Sequence, residues 1–158
     1  MSKKKIIIFL ISAIIIFLID RISKNYILSV AENVGTVDIV INSFLSFILV
    51  WNTGIGFGLL SFDQSLIYNL ISALIIAINF LIIYMIFKSN DIRAYFLIMV
   101  FGGSMGNLFD RLYYSAVPDF IDINYNGYHW FIFNVADIFI SIGIICLILA
   151  EFVSYKTK

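Results

Sequence analysis

The sequence has 158 residues, of which 62% are hydrophobic and 13% charged, against roughly 45–50% and ~25% in an ordinary soluble domain. That shortage of polar surface excludes a soluble monomer and disorder, and ten basic against ten acidic residues give no electrostatic footprint for nucleic acid. One Cys and one His exclude an internal disulfide and the usual zinc ligand sets, which leaves an integral membrane protein.

Taken in chain order, Lys3, Lys4 and Lys5 precede the apolar run Ile6–Ile19, whose helical spacing continues through Asp20 to about Ile27. No small-residue cleavage site follows, so the run is read as a span rather than a cleavable signal peptide. Ile39–Trp51 is apolar but, at 13 residues, too short to cross a bilayer. Its β-branched and aromatic content predicts short strands or an interfacial segment. The glycines in Asn52–Gly58 fit turns or close backbone approach to a ligand. Leu66–Phe87 is a clean span, Ala94–Asp110 a slightly short one, and Phe131–Phe152 one long enough to tilt. The expectation is a single domain over residues 1–158 with spans at about 6–27, 66–87, 94–111 and 131–152.

The basic residues orient these spans. Lys3–Lys5, Lys88 with Arg93, and Lys156 with Lys158 mark both termini and the middle loop, while none occurs from Asn25 to Phe87 or from Leu112 to Tyr155. The positive-inside rule makes the marked regions cytoplasmic and residues 28–65 and 112–130 extracytoplasmic.

Three basic residues, Arg21, Lys24 and Arg111, are not explained by topology and sit beside acids at span ends. Tracing each span places Asp20, Arg21, Lys24, Asn107, Asp110, Arg111, Asn134 and Asp137 near the outer surface, with Asn52, Asp119 and Asp122 in the outer connections. An ionisable group at mid-bilayer costs at least about 2.5–3.5 kcal/mol, so such a convergence marks function. Gly103, Asn107, Asp110 and Arg111 share one helical stripe, as do Asn134, Asp137 and Ser141. Asp20 and Lys24 are an i, i+4 pair in the favourable order. Gly102, Gly103 and Gly106 make a smooth face for close helix packing.

The inventory leaves carboxylate chemistry. Cys146 lies near the opposite end of the last span, and His129 beside Trp130 reads as interfacial rather than as a base. Asp119 and Asp137 are 18 residues apart across a loop short enough to fold back. Two carboxylates at close range share a proton, and such a dyad can hydrolyse an amide without a covalent intermediate. A small transporter is the alternative, but polar groups through the full membrane depth and repeated halves are missing from the sequence.

At these residues the chain resembles the lipoprotein signal peptidases (signal peptidase II). Asp20-Arg21-Ile22-Ser23-Lys24 is similar to the family's D-x-x-(S/T)-K, and Asn52–Gly58 to its N-x-G-x-A-F-G. Gly106–Arg111 matches G-N-x-x-D-R, Val117–Phe120 matches V-x-D-F, and Phe133–Asp137 matches F-N-x-A-D. Gly56 stands where the family usually has Ala, a small-for-small departure in the expected flap.

The resemblance implies an all-α membrane fold of four transmembrane helices with a small extracytoplasmic β-cradle and flap. It implies an aspartic endopeptidase of the bacterial cytoplasmic (inner) membrane, working at the outer leaflet on diacylglyceryl-modified prolipoproteins and cutting before the lipidated Cys. Asp119 and Asp137 would be the catalytic pair; Asn52, Gly54, Asn107, Arg111 and Asn134 would bind substrate; Asp20, Lys24 and Asp110 would hold the site together. No metal or other cofactor is expected, the partners are substrate and membrane lipids without nucleic acid, and the expected state is a monomer.

Overall fold

The computed structural model describes residues 3–54, 64–125 and 128–156. Residues 55–58 of the expected flap lie outside the described residues.

The first helix, α1, runs from Lys3 to Val34, 32 residues, well past the expected end near Ile27. Its charged residues Asp20, Arg21 and Lys24 are buried against partners on other elements, so they do not terminate it. It stops at Gly35, where a φ of 85° suits glycine and the Gly35 amide still donates to the Ala31 carbonyl. Phe9, Ile16, Asp20, Lys24 and Ile27 form its buried stripe, while Ile7, Leu10, Ile11, Ile14, Ile15 and Leu18 point outward. An apolar outer face of that length is what lipid covers.

Helices α2 (Gln64–Lys88) and α3 (Arg93–Tyr114) follow, then α4 (Val135–Lys156). Helix α3 touches all three others. Phe9, Ile82, Ile86, Ala94, Leu97 and Ile98 make a buried apolar cluster where α1, α2 and α3 meet. Two glycines of α3 let its neighbours approach. A Cβ on Gly103 would lie 2.5 Å from the Ala136 carbonyl oxygen of α4, and one on Gly106 would lie 2.5 Å from Asp20 Oδ2 of α1. The smooth face expected from the sequence is therefore used on two sides, and Gly106 places a carboxylate there.

Between the helices lies an antiparallel four-stranded sheet in the order β1 (Asp38–Asn42), β2 (Leu45–Asn52), β3 (Val117–Tyr125) and β4 (Tyr128–Phe133). The strand reading of Ile39–Trp51 fits β1 and β2. The sheet is seated on the end of α1, where Ile27, Val30 and Ala31 pack with Val37 and Phe120.

Two boundaries differ from expectation. The connection after α3 is a β-hairpin rather than a plain loop, and α4 starts at Val135, not at Phe131. Phe131–Phe133 belong to β4 because Ile121 and Asp122 of β3 pair with Phe133 and Ile132. Asn134 then caps the helix: its Oδ1 accepts from the Asp137 amide (3.2 Å), and Asp137 Oδ2 accepts from the Asn134 amide (3.1 Å). That reciprocal pair is a capping box, and it sets where the helix begins.

Among the described residues, three helices are long and apolar enough to cross a membrane: Lys3–Val34, Tyr68–Lys88 and Val135–Ser154. The chain is thus mostly helical, with a small antiparallel sheet.

Candidate active site

The residues that build the site come from five elements, α1, β2, β3, α3 and α4. Asn134, fully buried between β4 and α4, joins the two aspartates singled out above. Its Nδ2 donates to Asp119 Oδ1 at 2.6 Å, while its Oδ1 and backbone amide engage Asp137 through the capping box. One amide side chain therefore sets the relation between a strand carboxylate and a helix carboxylate.

Each aspartate has a second amide partner. Asn52 Nδ2 donates to Asp119 Oδ2 at 2.9 Å, and Asn107 Nδ2 donates to Asp137 Oδ1 at 2.8 Å. Asn52 is itself held because its Oδ1 accepts from the Gly54 amide at 2.8 Å. This Asx turn uses a φ of 79° at Gly54, where a side chain would be strained. Burial pushes the Asp119 carboxyl above its usual range, against the lowering influence of the Asn52 and Asn134 amides, and the nearby Asp137 carboxylate adds to the rise. Asp119 is thereby disposed to keep a proton.

Behind the pair lies a charged network. Lys24, fully buried, donates to Asp20 Oδ2 (2.9 Å), Asn107 Oδ1 (2.9 Å) and Asp110 Oδ2 (2.7 Å). The ammonium has three N–H bonds and all are used. Lys24 thus fixes the Asn107 amide with its nitrogen turned toward Asp137. Asp20 Oδ1 accepts from the Ala136 amide at 3.0 Å, in the first turn of α4. Arg21 Nη2 lies 2.6 Å from Asp110 Oδ1, as an ion pair rather than an aligned hydrogen bond, with its guanidinium 4.9 Å from the Phe109 ring centroid.

Arg111 is partly committed. Its Nη1 donates to the Asn107 carbonyl at 3.2 Å, while its buried Nε has no hydrogen-bond partner. All ten sequence-singled residues, Asp20, Lys24, Asn52, Gly54, Asn107, Asp110, Arg111, Asp119, Asn134 and Asp137, therefore belong to one connected constellation.

The sequence reading did not find everything here. Tyr68 of α2 donates its hydroxyl to the Arg111 carbonyl at 2.7 Å, capping the last turn of α3, and nothing in the sequence distinguishes it from other tyrosines. Asp122, expected in an outer connection, lies in β3 and is fully buried. The Asn-x-x-Asp spacing of Asn134 and Asp137 is a helix-start signal that could have placed the end of β4.

Residues 12–153 match the family model described as signal peptidase (SPase) II. The chain belongs to the signal peptidase II family. It is 52% identical over 142 residues to the lipoprotein signal peptidase of Pelagibacter ubique (strain HTCC1062), covering 90% of this chain and 86% of that one. It is 39% identical over 142 residues to the lipoprotein signal peptidase of Aquifex aeolicus (strain VF5), covering 89% and 83%. Two solved structures of bacterial membrane enzymes superpose on it. One has a TM-score of 0.77 at 27% identity, covering 95% of this chain and 90% of that chain; the other has 0.73 at 30%, covering 90% and 91%. Family membership makes the chain a membrane peptidase.

Proposed function

We propose that this signal peptidase II family member is an aspartic endopeptidase that removes the signal peptide from diacylglyceryl-modified prolipoproteins. The cut falls before the lipidated Cys. The observation that carries the reading is the Asn134 bridge, which holds two carboxylates as one unit at the start of an apolar helix. In the reaction, one carboxylate takes a proton from water as the water oxygen attacks the scissile carbonyl carbon. The other, protonated, donates to the carbonyl oxygen, and Asp119 suits that role because burial favours its neutral form. The resulting gem-diol collapses, the C–N bond breaks, and the carboxyl that took the water proton gives it to the leaving amine of the Cys. The gem-diol's remaining hydroxyl proton returns to the second carboxylate, so the pair ends as it began.

Asn52 and Asn107 hold the carboxylate oxygens in place, and Arg111, Asn134 and the Gly54 turn are the groups assigned to the substrate. Asp20, Lys24 and Asp110 support these groups and do not react. No step calls for a metal ion or other cofactor.

The same proposal places the protein in the bacterial cytoplasmic membrane as a single-domain monomer, with α3 as a fourth crossing and the sheet outside. The distribution of Lys and Arg supports it. The site then meets the scissile bond while the signal helix and acyl chains of the substrate stay in lipid. Purified protein incubated with a diacylglyceryl-modified prolipoprotein peptide should release the signal peptide, and the same peptide without lipid should be cut far less; an uncut lipidated peptide would refute the assignment. Orientation is checked separately. With Cys146 replaced, a cysteine at Ser115 should react with an impermeant thiol reagent on intact cells, whereas one at Ser89 should stay protected until the membrane is opened. The reverse pattern would place the aspartates on the wrong side for a translocated precursor.

A further inference from the structure

Outside the site, one buried acid has no role in the scheme above. Asp122 of β3 is fully buried, and its Oδ1 has no hydrogen-bond partner. Everything that compensates it converges on Oδ2: the Asn124 Nδ2 donor at 2.9 Å and His129 Nδ1 at 2.8 Å. Asn124 Nδ2 also reaches Ser46 Oγ of β2 at 3.1 Å. A buried carboxylate supported on one oxygen is costly, and its presence in a strand needs a reason.

The sheet supplies one. The β3–β4 pairing is irregular between Asp122 and Asn124, and it resumes with Asn124 opposite His129. The backbone ladder is therefore interrupted where the Asp122–His129 contact ties β4 to β3. A strand that slips by one residue moves about 3.3 Å and turns its side chains to the other face. Asp119 lies three residues before Asp122, and Asn134 lies five after His129. The 2.6 Å Asn134–Asp119 bond closes across this same hairpin, so its length depends on the register.

We propose that Asp122 and His129 form a register lock on the β3–β4 hairpin and are positioning residues for Asp119. The inference rests on the peptidase reading for its kinetic consequence and on the hairpin geometry for its structural one. Misplacing a reacting group by about an ångström costs up to roughly 100-fold in rate. Accordingly, His129→Ala and Asp122→Ala should each lower kcat on the lipidated peptide by about 10- to 100-fold, with KM little changed. The double variant should be no worse than the poorer single one, because both remove the same contact. His129→Asn, whose Nδ2 falls near the position of the imidazole Nδ1, should restore most of kcat. Wild-type kcat in His129→Ala, or losses that multiply in the double variant, would overturn the lock. Amide hydrogen exchange separates the two readings. If the wild-type protein itself left the peptide uncut, the peptidase assignment would fall. The lock would still be decided by whether residues 117–125 and 128–133 exchange faster in His129→Ala and Asp122→Ala but not in His129→Asn. Unchanged exchange in the first two would refute it.

Discussion

Replacing either carboxylate of the pair by its amide, Asp119→Asn or Asp137→Asn, is expected to lower cleavage of the lipidated peptide by on the order of 10³-fold or more. A positioned acid or base contributes about 10²–10⁴-fold, and in a shared-proton dyad neither partner works alone. The substitutions preserve shape. Asn at 119 keeps an oxygen to accept from one of the two amides that now bond its carboxylate, and Asn at 137 keeps one to accept from the Asn134 backbone. Both variants should therefore purify inserted and unfold near the wild-type temperature, which separates lost chemistry from lost structure. Near wild-type turnover by either would remove the dyad assignment. Asp110→Asn serves as the contrasting variant. Asp110 is engaged by Lys24 and Arg21, so its loss should register in stability first; if it alone were inactive, the pair would have to be reassigned to Asp110 and Asp137.

The largest effect on stability is expected from Lys24→Met. The side chains have similar volume, so packing is nearly conserved while the charge is removed. Asp20 and Asp110, both fully buried, then lose the cation that touches each of them, and Asn107 loses the donor that fixes its flip. Breaking a buried ion pair by deleting one partner costs about 3–5 kcal/mol. Arg21 offsets part of this for Asp110, but it approaches Asp20 Oδ2 only to 3.6 Å. Thermal unfolding in detergent should show a large drop in midpoint, together with loss of activity through a freed Asn107. An unchanged midpoint would mean that the network is not carrying load between α1 and α3.

How much of this was legible before the structure depends on the kind of signal. The Asp20–Lys24 pair and the stripe through Gly103, Asn107 and Asp110 obey helical spacing, so their shared faces follow from the 3.6-residue repeat. Asp119 and Asp137 were reachable because a short connection limits how far apart its ends can be. The start of α4 was not, since Phe131–Phe133 is equally apolar as strand or helix, and periodicity cannot decide over three residues. The extension of α1 past Ile27 was hidden for another reason. Charged residues read as a helix leaving the membrane, whereas here they are neutralised by partners on α3 that no local pattern reveals. Asp122 and His129 meet only because an irregularity in the β3–β4 pairing brings them into line, and bulges leave little trace in a sequence.

The length of α1 has a consequence for the medium around the protein. At a rise of ~1.5 Å per residue, its 32 residues span about 48 Å, against a hydrocarbon core of about 30 Å. The sheet is fastened to the last turns of that one rod by Ile27, Val30 and Ala31, so the position of Asp119 along that rod is a fixed property of the molecule. In the proposed reaction, by contrast, the substrate's lipidated Cys rides on acyl chains that float with the lipid. On that proposal a thicker or thinner membrane would raise or lower the scissile bond past the two carboxylates, making acyl-chain length in the host bilayer a variable of the reaction.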